Sequence, residues 1–140
     1  MKRYLLDTNV ISELRKQRPH GAVVAWVDSV PNEQLYVSAA TIGELQRGVE
    51  KTRRQDPSKS LQIESWIDQF ARDSQVISMD GHCFREWGRL MHGKSDDLPE
   101  DAMIAATARV HNLVLATRNE ADFKHFDVEL FNPFKFPKPS

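Results

Sequence analysis

YLLDTNVISEL, residues 4–14, decides how the rest of the chain is read. Tyr4, Leu5 and Leu6 open a short apolar run, YLLDT (4–8), of the kind that forms a strand covered on both faces. Val10, Ile11 and Leu14 then fall on one side of a short helix over 9–16. Asp7 sits at the joint. A carboxylate there could cap the helix, or it could be one of several acids meeting at one point.

The same alternation continues. LYVSA (35–39), VISMD (76–80), LVLAT (113–117) and VELF (128–131) read as further strands, bounded by small polar residues. Helices are predicted over 20–29, 41–54, 61–71, 82–92 and 100–112, with QDPSKS (55–60) as a turn and GKSDDLP (93–99) as a polar loop. On the helix over 61–71, Leu61, Ile63, Ile67 and Phe70 are read as one apolar stripe. The first, third and fourth strands look apolar on both faces. That predicts a three-layer α/β/α sandwich around a mainly parallel sheet, with right-handed crossovers. We expect a single domain over 1–134 and a short irregular tail over 135–140.

The bulk numbers narrow the function. The chain has 140 residues, 40% hydrophobic and 28% charged, enough for one core. Its net charge of −1 gives no global field for nucleic acid, though a local basic patch could still bind it. A single cysteine, Cys83, rules out an internal disulfide and Cys-based zinc spacing. A reducing cytoplasm is the expected location, because no signal peptide or membrane-length apolar run is visible. Neither GxGxxG nor a P-loop is present, which argues against dinucleotide and P-loop enzymes. The five histidines lack HExxH spacing.

In parallel sheets, ligands bind beyond the carboxyl ends of the strands. Asp7 follows the first strand, and Glu44 lies just after the second. Thr117, Arg118, Asn119 and Asp122 follow the fourth. Asp96, Asp97, Glu100 and Asp101 precede or open the helix before it, with Pro99 a natural first helical residue. Hard oxygen donors without His or Cys suit Mg²⁺, with Mn²⁺ as a substitute. Taken singly, each acid has a plainer reading. Asp7 could be a cap, Glu44 an exposed helix residue, Asp97 with Glu100 a capping box, and Asp122 a turn residue. What favours a site is that all fall at one edge.

LLDTNVISEL, Glu44-Leu45-x-x-Gly48, LPEDAMIAATA and VLATRNEADF, in that order and spacing, resemble a PIN domain. The closer resemblance is to the VapC toxins of bacterial toxin–antitoxin pairs, including their FitB-like branch, and it runs to NPF (132–134). It implies a Mg²⁺-dependent endoribonuclease, with Asp7, Glu44 and Asp101 as catalytic metal ligands. The family's fourth acidic position aligns with Asn119, which brings no charge, and Asp122 could compensate. Thr8, Asn9 and Thr117 would orient the acids. The resemblance also implies an RNA substrate, a cognate antitoxin protein and a homodimer. Trp66, Phe70, Phe84, Trp87 and Met91 read mainly as core, with some forming an apolar partner surface.

Arg118, beside the acids, is the preferred phosphate contact. Arg15, Lys16 and Arg18, and Arg47, Lys51, Arg53 and Arg54, read more simply as solvated helix faces. Two other classes compete. A receiver-like signalling domain would use Asp80 as phosphoacceptor, and a non-catalytic binding module would use the acids only as caps.

Overall fold

The computed structural model describes residues 1–93 and 99–137. Asp96 and Asp97, and with them the expected Asp97–Glu100 capping box, lie outside the described residues.

Five parallel strands make one sheet: β1 (Tyr4–Leu6), β2 (Leu35–Ser38), β3 (Gln75–Ile77), β4 (Val114–Ala116) and β5 (Leu130–Phe131), in the order β3-β2-β1-β4-β5. Leu5 sits opposite Tyr36 on one side and Leu115 on the other. The chain winds outward from β1 toward β3, then returns to place β4 on the other flank of β1. That reversal opens a crevice at the carboxyl ends of β1 and β4.

Among the described residues seven α-helices cover the sheet: α1 (Thr8–Arg15), α2 (Gly21–Ser29), α3 (Ala39–Gln55), α4 (Pro57–Asp73), α5 (Gly81–Met91), α6 (Pro99–His111) and α7 (Glu120–Phe123). Side chains alternate across each strand, so neighbouring residues feed opposite cores. Leu5 and Leu115 pack with Ile104, Ala105, Ala108, Phe123 and Phe126 on one face. Leu6 and Ala116 pack with Val10, Ile11, Val23 and Trp26 on the other. The run of small residues in α6 lets its backbone lie close to the sheet, and Ala102, Ala105, Ala106 and Ala108 are fully buried.

Three local expectations change. QDPSKS is not a turn. Asp56 alone joins α3 to α4, accepting a hydrogen bond from the Lys59 N–H at 3.1 Å, with Pro57 as the first helical residue. A Pro after an Asp cap starts a helix as readily as it breaks one. Leu61 is 59% exposed rather than on the buried stripe. Residues 63, 67 and 70 share a face with 60, whereas 61 and 63 lie about 200° apart on a 3.6-residue helix. Ser60 is accordingly fully buried. Finally, β3 is not covered on both faces. It is a sheet edge, and Val76 is exposed. Of the aromatic candidates, Trp66 and Phe70 stack together on one core and Trp87 packs on the other. Phe84 is exposed. Among the described residues no helix is long and apolar enough to cross a membrane.

Candidate active site

Asp7 leaves the end of β1 buried, 5% exposed. Its backbone N–H donates to the Ala116 carbonyl at 2.9 Å, so the ends of β1 and β4 fix its position. Its carboxylate is held on three sides. Oδ1 accepts the Thr8 N–H at 2.8 Å, which caps α1. Oδ2 accepts the Thr117 hydroxyl at 2.7 Å and the Asn9 amide at 3.0 Å. A carboxylate has about four acceptor directions; three are filled, so Asp7 is rigidly aimed and keeps about one for a ligand. The plain reading of Asp7 as a cap is true, and it leaves room for more.

Thr8 reaches the other way. Its hydroxyl donates to Glu44 Oε1 at 2.9 Å and ties α3 to the end of β1. Thr117 Oγ1 accepts the Asn119 N–H at 3.0 Å, and Asn9 Oδ1 accepts the Arg118 N–H at 3.2 Å. Thr8, Asn9 and Thr117 thus join Asp7, Glu44 and the turn after β4 into one network.

Asp101 comes from the first turn of α6 and faces the same cleft. This cleft, about 430 Å³, is lined by Asp7, Thr8, Asn9, Glu44, Asp101, Arg118, Asn119 and Phe134, with Ser12, Glu13 and Lys16 at one side. Asp122 does not line it. It lies on α7, around an adjoining hollow with Lys124 and Lys135.

The acids disturb one another. Burial, followed by the charges of Asp7, Glu44, Asp122 and Glu100, pushes Asp101 up to about 6 from the usual 3.8. Burial raises Glu44, although the Thr8 hydrogen bond opposes it. Burial also raises Asp7, against its hydrogen bonds from Thr117, Thr8 and Asn9. Glu100 is held aside by Arg47 at 2.8 Å.

Among the described residues, no three His, Cys, Asp or Glu side chains stand close enough as placed to share one ion. The donor set nevertheless fits a hard divalent cation by its chemistry. It consists of carboxylates with no nitrogen or sulfur ligand, and, after burial, their mutual repulsion raises Asp101 and Glu44.

Several features escaped the sequence reading. Glu13 is 7% exposed, paired with Lys16 at 2.9 Å and accepting the His20 N–H at 2.9 Å, which anchors the α1–α2 connection beside the cleft. A Glu three residues before a Lys on a helix was the available signal. Phe134 closes the far wall, and no periodicity marked it. Arg47 and Arg53 are paired, Arg53 with Glu50 and Glu64, as expected of solvated helix faces. Asp80 caps α5 by accepting the Cys83 N–H, and it is not among the residues that line the cleft. A second cavity of about 470 Å³ lies around Glu86, Arg109, Asp127 and Glu129, where Arg109 is already paired with Glu86.

A parallel α/β sheet with acids from three elements at its switch point defines the class, and residues 4–129 match the PIN domain family model. The chain belongs to the PIN-domain family. It is 36% identical over 138 residues to the toxin FitB of Neisseria gonorrhoeae, across 93% of this chain and 97% of that one. It is 35% identical over 139 residues to the VapC ribonuclease Y4jK of Sinorhizobium fredii, across 94% and 97%. The crystal structure of FitAcB from Neisseria gonorrhoeae superposes with a TM-score of 0.82 at 34% identity, over 95% of this chain and 99% of that one.

Proposed function

We propose that this protein is a divalent-metal-dependent endoribonuclease, the toxin of a toxin–antitoxin pair, which hydrolyses RNA phosphodiester bonds in the cleft around Asp7, Glu44 and Asp101. The observation that carries this reading is electrostatic. Carboxylates from three separate elements line one cleft at the sheet's carboxyl edge, and among the described residues none of Asp7, Glu44 and Asp101 has an ion-pair partner; burial first, and then the neighbouring acids, drive Asp101 to about 6. A merely structural cluster would be paired, as Glu100, Glu13 and Glu86 are.

Asp7, Asp101 and Glu44 would hold Mg²⁺ or Mn²⁺. When bound, such an ion polarises the scissile phosphate and offsets the charge that builds on it. Thr117, Asn9 and Thr8 keep Asp7 and Glu44 aimed, work that outer partners commonly do for ligating carboxylates. Arg118 lines the cleft, and its N–H edge would donate to a phosphate oxygen. Asn119 lines the cleft without adding charge. The relatives' names, a toxin and a VapC ribonuclease, support the same activity. The structure of FitAB bound to a DNA fragment supports assembly with a second protein. A cognate antitoxin and a second copy of this chain are the proposed partners, in the cytoplasm.

The test is co-expression with the neighbouring reading frame, isolation of this chain, and cleavage mapping on total RNA with Mg²⁺ or EDTA. Discrete cuts that need the metal are expected. A chain that cuts nothing in either buffer returns the protein to the class of binding modules.

A further inference from the structure

Phe134 has no role in the chemistry assigned to the acids, yet its ring lines the same cleft as Asp7, Glu44 and Asp101. The Arg118 guanidinium lies over that ring, 4.8 Å from its centroid. The His20 ring meets Phe134 from another side at 5.3 Å, tilted by 64°. Arg118 itself is exposed, and among the described residues its guanidinium has no acidic partner.

The group is built rather than incidental. The Phe134 N–H donates to Asn132 Oδ1 at 2.9 Å. Asn132 and Lys135 both bind Glu120 of α7, at 3.3 and 3.1 Å. On the other side, Asn9 accepts the Arg118 N–H, so the residue that orients Asp7 also sets the start of the Arg118 side chain. An exposed guanidinium over an aromatic ring is therefore held at the edge of the acid cluster, the ring by Asn132 and the Arg118 backbone by Asn9.

We propose that Arg118, backed by Phe134, is a stacking platform for one unpaired nucleobase of single-stranded RNA at the rim of the cleft. Guanidinium planes and aromatic rings both stack on bases that have left a helix. A base held there places its own phosphate toward the acids. The platform rests on the ribonuclease reading for its substrate and goes beyond it, since it requires a single-stranded, unstacked nucleotide beside the cut. An exposed phosphate contact alone would not need Phe134 beneath it.

The probe is a single-stranded oligoribonucleotide of about six nucleotides carrying 2-aminopurine at each position in turn, long enough to span the cleft. Binding is followed by fluorescence to the full chain carrying Asp101→Asn, in EDTA, so that no cleavage is needed. One position is expected to brighten, because its base leaves its stacked neighbours for the guanidinium face. Phe134→Leu and Arg118→Ala should each remove that rise and weaken binding on the order of tenfold, while Phe134→Trp retains the affinity. Because Arg118 is exposed, Arg118→Ala keeps the test sound if Phe134→Leu unfolds. No brightened position, or a rise unchanged in both variants, overturns the platform and leaves this edge to a protein partner. A rise in the Asp101→Asn chain, with a wild-type chain that cuts no RNA under Mg²⁺, would keep the platform and overturn the nuclease reading instead.

Discussion

Burial and the charges of its neighbours raise Asp101 to about 6. The unfolded chain has no such surroundings, so the native state holds this proton to a higher pH. The folded pKa lies above the unfolded one, and the native state binds more protons between them. Stability therefore falls as pH rises from about 4 through 6, and the cost is fully present above that window. Asp101→Asn should then stabilise the metal-free protein near neutral pH. A shift of this size is at most about 3 kcal/mol, and screening in an open cleft reduces it to about 1–2 kcal/mol. Thermal melts in EDTA at about pH 8 and pH 4 check it, with a gain at the higher pH that vanishes at the lower. Thr117 gives a second handle. It is fully buried and donates to Asp7. Thr117→Val keeps the shape but removes one of the three hydrogen bonds that aim the Asp7 carboxylate, and should lower kcat for RNA cleavage by about 10–100-fold in steady-state assays, with the fold retained by circular dichroism.

The α3–α4 hairpin shows what an element contributes. Asp56 ends one helix and caps the next, and α3 in turn carries Glu44 toward Thr8. Asp56→Ala should cost about 1 kcal/mol, a fall of about 3–4 °C in Tm for a domain of this size, read by calorimetry. Cleavage should be nearly unchanged, because the hairpin turn is remote from the cleft. The elements were largely legible because helix and strand periods differ, and the strand runs 4–8, 35–39 and 113–117 were bounded by caps and polar residues. QDPSKS misled because Asp-Pro signals both a turn and a helix start. VISMD was taken for a covered strand because an edge position depends on sheet order, which short apolar runs do not encode. The four-residue α7 is too short to leave a periodic signal, so Asp122 was assigned to a turn.

For the whole molecule, strand order decides the chemistry. Placing β4 beside β1 brings Thr117 to Asp7 across 110 positions of sequence. The sequence reading located the edge, since acids follow strands, but not the hydrogen bonds that rank Asp7 as buried and Asp122 as peripheral. The sequence included Phe134 in the resemblance, at the end of NPF (132–134), but not its place at the cleft, because its contacts with Arg118 and His20 are tertiary. The family resemblance also leads us to expect a homodimer. Light scattering on the isolated chain should give twice 16.1 kDa, and a mass equal to one chain would contradict that expectation.

We propose that the acids at the β1–β4 crevice form a metal-dependent RNA-cutting site. The most direct test is a Mg²⁺ titration of RNA cleavage by the purified wild-type chain and by Asp101→Asn, with both shown to be folded. Cleavage should rise with Mg²⁺ and disappear in EDTA for the wild type, and the variant's rate should be lower by at least about a hundredfold at every Mg²⁺ concentration. Equal metal-dependent rates for the two folded proteins would contradict it.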